Sequence, residues 1–146
     1  MIQGQLIHTM NEEAQPGDTV VAAAGSPPGD LHKLWDATDG RNCHIEFGYS
    51  YIGYEIPVGI GVRMAQPDGE VIVYIGDGTY LMNPTELVTA IQEGLKVAVV
   101  ITETDGYQCI RALQEFRCRD TTTNRLDGEY VSIDFAKNAE SFGAKT

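Results

Sequence analysis

The sequence predicts an α/β fold, a parallel sheet with helices on both faces, and two observations lead there. The runs TVVAAAG (19–25), EVIVYIG (70–76) and KVAVVIT (96–102) are apolar along nearly their whole length. Continuous apolar strands of this kind are buried on both faces. Between them lie segments with helical spacing, and strands that alternate with helices are joined by crossovers into a parallel sheet. Ligands of such sheets sit beyond the carboxyl ends of the strands. At 146 residues the chain has the length of one domain and enough material for a core.

Each element has a local reason. Ile2, Leu6, Ile7 and Met10 predict a short amphipathic helix over 2–13. PGD (16–18) is a turn, and TVVAAAG is the first strand. Asp30 is expected to cap a short helix that runs through Trp35, before a polar loop and a second strand in CHIEF (43–47). In 48–65, Ile52, Ile56, Ile60 and Met64 recur every fourth residue, which predicts a buried helix from about Tyr51, kinked at Pro57. After the 70–76 strand, Asn83-Pro84-Thr85-Glu86 resembles a capping box opening a helix, with Leu87, Val88 and Ile91 inward and Gly94 as its stop. The 96–102 strand leads into ETDGYQCIRALQEF, a loop that becomes a helix. TTTNRLDGE (121–129) reads as loop, and SIDFAKNAESFG as a last helix stopped by Gly143. FGAKT then ends the chain where another strand is expected, which suggests a piece of a longer protein.

The formal net charge of −11 disfavours nucleic acid and anionic membrane surfaces as partners, because both reward clustered Lys and Arg. Cys43, Cys109 and Cys118 show no metal or redox spacing, and with no leader-like N-terminus they point to the cytoplasm. No stretch approaches the roughly 18–20 apolar residues of a membrane span.

Two strand ends carry chemistry. Gly76-Asp77-Gly78-Thr79 offers two glycines for positive φ and close backbone approach, amides and a hydroxyl for phosphate oxygens, and a carboxylate for a hard cation. Glu103-Thr104-Asp105-Gly106-Tyr107 is rich in oxygen ligands. Mg²⁺ takes octahedral oxygen coordination, usually with one or two carboxylates beside phosphate and water. Taken singly these residues are ordinary: Gly-Asp-Gly is a common turn, and Glu103 and Asp105 suit a solvated loop. Met82, Leu87 and Ile91 read as core, Cys109 and Cys118 as packing residues, and His32 and His44 as isolated histidines.

Taken together, the two loops point to a family. GDGTYLMNPTELVTAIQEGLKVAVVITETDGY (76–107) resembles the thiamine-diphosphate fingerprint of the acetohydroxyacid synthase and pyruvate decarboxylase superfamily: GDG, a helix, a strand, then usually Asn-Asn. The 27 residues from Asp77 to Thr104 match the spacing of its two metal ligands. AAAGSPPGDLHKLW (22–35), HIEFGYSYIGYEI (44–56) and LDGEYVSIDFAKNAESFGAKT (126–146) are similar to the acylhydrolases that open a trihydroxycyclohexane-1,2-dione in inositol catabolism.

The resemblance implies the diphosphate-binding domain of such an enzyme, with thiamine diphosphate and Mg²⁺ as cofactors. Asp77 would bind the metal through its carboxylate, Gly106 through its carbonyl, and Thr104 stands at the second side-chain ligand position. Gly76, Gly78 and Thr79 would hold the diphosphate, helped by Gly25 and Ser26. Ile52 matches the apolar wedge that bends the cofactor, and Ser50 the carbonyl that accepts from its 4′-amino group. The cofactor stores the electrons released when a C–C bond breaks.

This sequence departs from the pattern twice. Glu103-Thr104 replaces Asn-Asn or Asp-Asn, and a neutral hydroxyl on a shorter side chain is a weaker ligand, so reduced affinity is expected. RALQEFRCRD (111–120) stands where relatives carry a longer glycine-rich loop, so a lid or substrate contact is expected to be missing.

In this superfamily the glutamate that activates the cofactor comes from a pyrimidine-binding domain of the same or another chain. The resemblance therefore implies no catalytic residue in these 146 residues, an inactive isolated chain, that domain and a small-molecule substrate as partners, and a homo-oligomer. Two other readings stand beside it: the diphosphate-binding subunit of a split 2-oxoacid decarboxylase or synthase, and a non-catalytic module whose metal site has degraded.

Overall fold

A computed structural model describes residues 2–47, 49–118 and 131–146. Four strands, β1 (Thr19–Ala22), β2 (Asn42–Ile45), β3 (Val71–Gly76) and β4 (Ala98–Thr102), form one parallel sheet in the order β2-β1-β3-β4. Tyr74 pairs with Val100, and Val20 pairs with both Cys43 and Ile72. The chain moves outward one way from β1 to β2 and the other way from β3 to β4. The switch point, where such sheets open a crevice, therefore lies between β1 and β3.

The period-2 alternation of each strand divides the core in two. Val20 and Ala22 of β1 and Tyr74 of β3 pack with Ile7 and Met10 of α1 (Gln3–Glu13) and Leu31 of α2 (Ser26–Leu34). On the opposite face Val73 and Ile75 meet Ile56 and Ile60 of α3 (Glu55–Ala65), Tyr80 of α4 (Asp77–Tyr80), and Leu87 and Ala90 of α5 (Glu86–Gln92). Phe135, Ala139 and Phe142, in and just after α7 (Phe135–Ser141), close that face, with the Phe135 ring edge-on to Tyr80 at 5.6 Å. Both faces are covered, as the continuous apolar strands require. The remaining helix, α6 (Gln108–Cys118), has no buried residue.

Several expectations need correction. Asp30 lies inside α2, whose N-cap is Gly25 at φ 122, because Pro27 and Pro28 fit a first turn that needs no amide donors. The predicted helix from Tyr51 begins only at Glu55, after a looped segment in which Gly53 stands at φ 85. Pro57 thus falls in the first turn, where its missing N–H removes no helical bond and gives no cause for a kink. The capping box at Asn83 does not form: α5 starts at Glu86 behind Thr85, without a side-chain cap. Amides of Met82 and Asn83 instead bond the carbonyls of Thr79 and Tyr80, which continues the turns from α4.

Gly94 and Gly143 do end their helices, at φ 65 and 97, with paired backbone bonds onto the last turn. Met82 and Ile91 are not core but about half exposed, and Cys43, Cys109 and Cys118 are all exposed. The predicted 121–129 loop lies outside the described residues.

One packing contact sets how close α3 comes to the sheet. A Cβ on Gly59 would stand 2.4 Å from Val73 Cγ2, and Val73 is fully buried. Gly59→Ala is expected to lower stability by about 1–3 kcal/mol through overpacking. Thermal unfolding checks it, and an unchanged midpoint would show that the helix has slack here.

Candidate functional site

The site is built on the switch point. At the end of β3 the chain turns directly into α4, so Asp77 is a first-turn residue, with its own Oδ1 accepting from the Gly78 amide at 2.8 Å. Neither Gly76 nor Gly78 has positive φ, which corrects one expected reason for them. Gly78 is there for close approach: a Cβ would sit 2.9 Å from the ring of Tyr107. The first loop is thereby packed directly against the second.

That second loop follows β4 and bends sharply, with Asp105 at φ 59 and Gly106 at φ 118. The bend aims two amides at one oxygen. Thr104 and Gly106 donate to Asp77 Oδ2 at 3.0 and 2.9 Å. The Thr104 hydroxyl lies 3.3 Å from Asp77 Oδ1 and 3.2 Å from the Gly106 carbonyl, and the Gln108 amide group donates to the Thr104 carbonyl. Asp77 is 4% exposed, so this net of donors is what keeps a carboxylate acceptable there. The three residues expected to ligate metal are therefore in mutual contact.

Above this knot lies a cleft of about 220 Å³. Gly25 and Ser26 line it from the end of β1, Ser50 and Ile52 from the loop before α3, and Gly76, Gly78 and Thr79 from the first strand-end loop. Thr104 and Gly106 line it from the second. Nine of the ten predicted cofactor residues share this one cavity, and Asp77 sits just beneath its wall. Glu103 does not reach it; its side of the loop faces a second cavity beside α1.

Sequence reasoning missed several neighbours. Gln3 reaches the cleft from α1, and its Nε2 is buried without a hydrogen-bond partner among the described residues. Only the fold brings it there, so no local signal marks it. Tyr107, Ile110 and Leu113 form the wall on the α6 side. Glu55, 2% exposed, accepts from the Gly53 amide at 3.1 Å, and burial pushes its carboxyl up to about 7. A glutamate inside an apolar helical stretch was the available clue to it. Among the described residues no cluster of three or more His, Cys, Asp or Glu forms, so a cation here depends on hydroxyl, carbonyl and ligand oxygens around one carboxylate.

The fold and this site coincide with a family. Residues 23–146 match the model of the thiamine pyrophosphate enzyme C-terminal TPP-binding domain, and the chain belongs to that family. Its relatives include the 3D-(3,5/4)-trihydroxycyclohexane-1,2-dione hydrolase of Clostridium tetani, 41% identical over 100% of this chain and 24% of that protein. The protein of the same name from Geobacillus thermodenitrificans is 42% identical over the same shares. The one from Clostridium botulinum is 45% identical over 87% of this chain and 21% of that protein. The chain thus spans about a quarter of the length of these relatives.

Proposed function

We propose that this chain is the diphosphate-binding part of a thiamine-diphosphate-dependent hydrolase that cleaves a C–C bond in a cyclic 1,2-dione of inositol catabolism. The observation that carries the reading is the knot of Asp77, Thr104 and Gly106 at a cleft that the other seven residues also line. The likeness to the dione hydrolases supports the substrate class.

The donor set fits Mg²⁺. Bonds of about 2.0–2.1 Å to an octahedral ion place adjacent ligand oxygens about 2.9 Å apart. The Thr104 hydroxyl is already 3.3 Å from one Asp77 oxygen and 3.2 Å from the Gly106 carbonyl. Asp77 would supply the charge, Gly106 a carbonyl and Thr104 a hydroxyl, while diphosphate and water complete the shell. Amides and hydroxyls at Gly25, Ser26, Gly78 and Thr79 would hold the phosphates, and Ser50 and Ile52 the other end of the cofactor. Bound there, thiamine diphosphate supplies an electron sink for C–C cleavage.

The activating glutamate comes, in this proposal, from a pyrimidine-binding domain outside these residues, and the working enzyme is a cytoplasmic homo-oligomer. Ile110 and Leu113 line the cleft and are still about half exposed, which suits a covering partner. Among the described residues no helix is long and apolar enough to cross a membrane.

Calorimetric titration of the chain with Mg²⁺ and thiamine diphosphate tests the reading. Thr104→Asn, which restores an amide oxygen, is expected to tighten binding about tenfold, equal to about 1.4 kcal/mol. Absence of heat in both proteins would overturn cofactor binding by this chain.

A further inference from the structure

Ser50 stands at φ 58, a left-handed conformation that costs a non-glycine residue about 1–2 kcal/mol. Something must hold it there. The nearest brace is Glu46, just beyond β2. Its Oε1 accepts from the Tyr49 amide at 2.8 Å, and its Oε2 from the Tyr51 amide at 2.7 Å. One carboxylate thereby grips the backbone on both sides of Ser50. These two bonds also hold the Glu46 carboxyl below its ordinary range, so it stays a full acceptor at neutral pH. The loop is pinned further along as well. The Tyr51 carbonyl accepts from the Ala24 amide at 3.3 Å, and the Gly53 amide donates to Glu55.

We infer that Glu46 is a positioning residue: its carboxylate fixes the left-handed turn at Ser50 and so sets how Ser50 and Ile52 meet the ligand in the cleft. The inference rests on the cofactor reading above, and it assigns a task to a residue that lies outside the cleft itself. A glutamate kept only as a solvated surface charge has no need to chelate two amides flanking a strained residue. The two ends of the site are then separately supported. The knot at Asp77 governs the diphosphate end, and Glu46 governs the end where Ser50 and Ile52 stand.

That separation gives the test. The chain, Glu46→Ala and Glu46→Gln are titrated with two probes, Mg²⁺-thiamine diphosphate and Mg²⁺-pyrophosphate, and amide hydrogen exchange is followed without ligand. Pyrophosphate engages only the diphosphate end, at residues 25–26, 76–79 and 104–106, and not Ser50 or Ile52. Glu46→Ala is expected to weaken thiamine diphosphate about tenfold while pyrophosphate stays within about twofold. Glu46→Gln, which keeps one acceptor oxygen and the side-chain shape, should fall between. Exchange at Tyr49 and Tyr51 should be slow in the parent and fast in Glu46→Ala. If Glu46→Ala does not fold, Glu46→Gln carries the comparison. Equal losses for both probes, or no loss for either, overturn the positioning role and leave the cofactor reading intact. A parent chain that binds neither probe overturns the cofactor reading and the inference with it.

Discussion

Asp77→Ala is expected to abolish Mg²⁺-dependent thiamine diphosphate binding and to destabilise the chain by roughly 2–4 kcal/mol. The two effects share one cause. The carboxylate accepts from the amides of Gly78, Thr104 and Gly106, and it is almost wholly buried. Without it, those donors face each other and the second loop loses its anchor to the first. Asp77→Asn keeps the shape but offers one acceptor oxygen where two are used, so it should lose binding with a smaller fall in stability. Denaturant unfolding and calorimetry read the two effects separately. An Asp77→Ala protein as stable as the parent would show that the second loop is held from elsewhere.

Glu55→Gln is expected to gain stability over the parent chain as pH rises from about 4.5 through about 7. Burial raises the Glu55 carboxyl from 4.5 to about 7, so the folded chain keeps a proton that the unfolded chain has already released. The stability linked to that proton is complete below about pH 4.5 and is lost as pH rises through about 7. At 1.36 kcal/mol per pH unit the loss is about 3 kcal/mol. Gln carries no such proton and keeps an oxygen for the Gly53 amide. The difference in stability between the two proteins should therefore grow across this window and level off near pH 8. Parallel curves for the two proteins across the window would sink the account.

What the sequence disclosed, and what it withheld, follows from the range of the forces involved. The three apolar strands were legible because burial on both faces writes itself into consecutive residues. Gly94 and Gly143 were legible because a positive φ after a helix is a local demand. The contact between the two loops was legible too, since Asp77 and Thr104 are joined by a single crossover of fixed length between neighbouring strands. The failures came where local signals competed. Asn83 carries a good cap signal, but the turns continuing from α4 take up the backbone there, and the helix starts three residues later. The fourfold spacing of Ile52, Ile56 and Ile60 suggested one helix, whereas Ile52 belongs to a loop pinned by Glu46, Glu55 and Ala24. Gln3 was invisible because only the packing of α1 against the sheet brings it to the cleft. Gly78 was found for an incomplete reason, since the ring that demands it lies 29 positions on.

The knot joins two turns whose strands are neighbours in the sheet and successive in the chain, Val71–Gly76 and Ala98–Thr102. Every atom of the proposed metal clamp is thus carried by one uninterrupted stretch of chain ending near Tyr107, and none by β1 or β2. Such a stretch is a heritable cassette. Its residues stay on one polypeptide wherever the chain is divided before Val71, so gene fusion or fission upstream can change which polypeptide supplies the rest of the active site without dividing the proposed clamp.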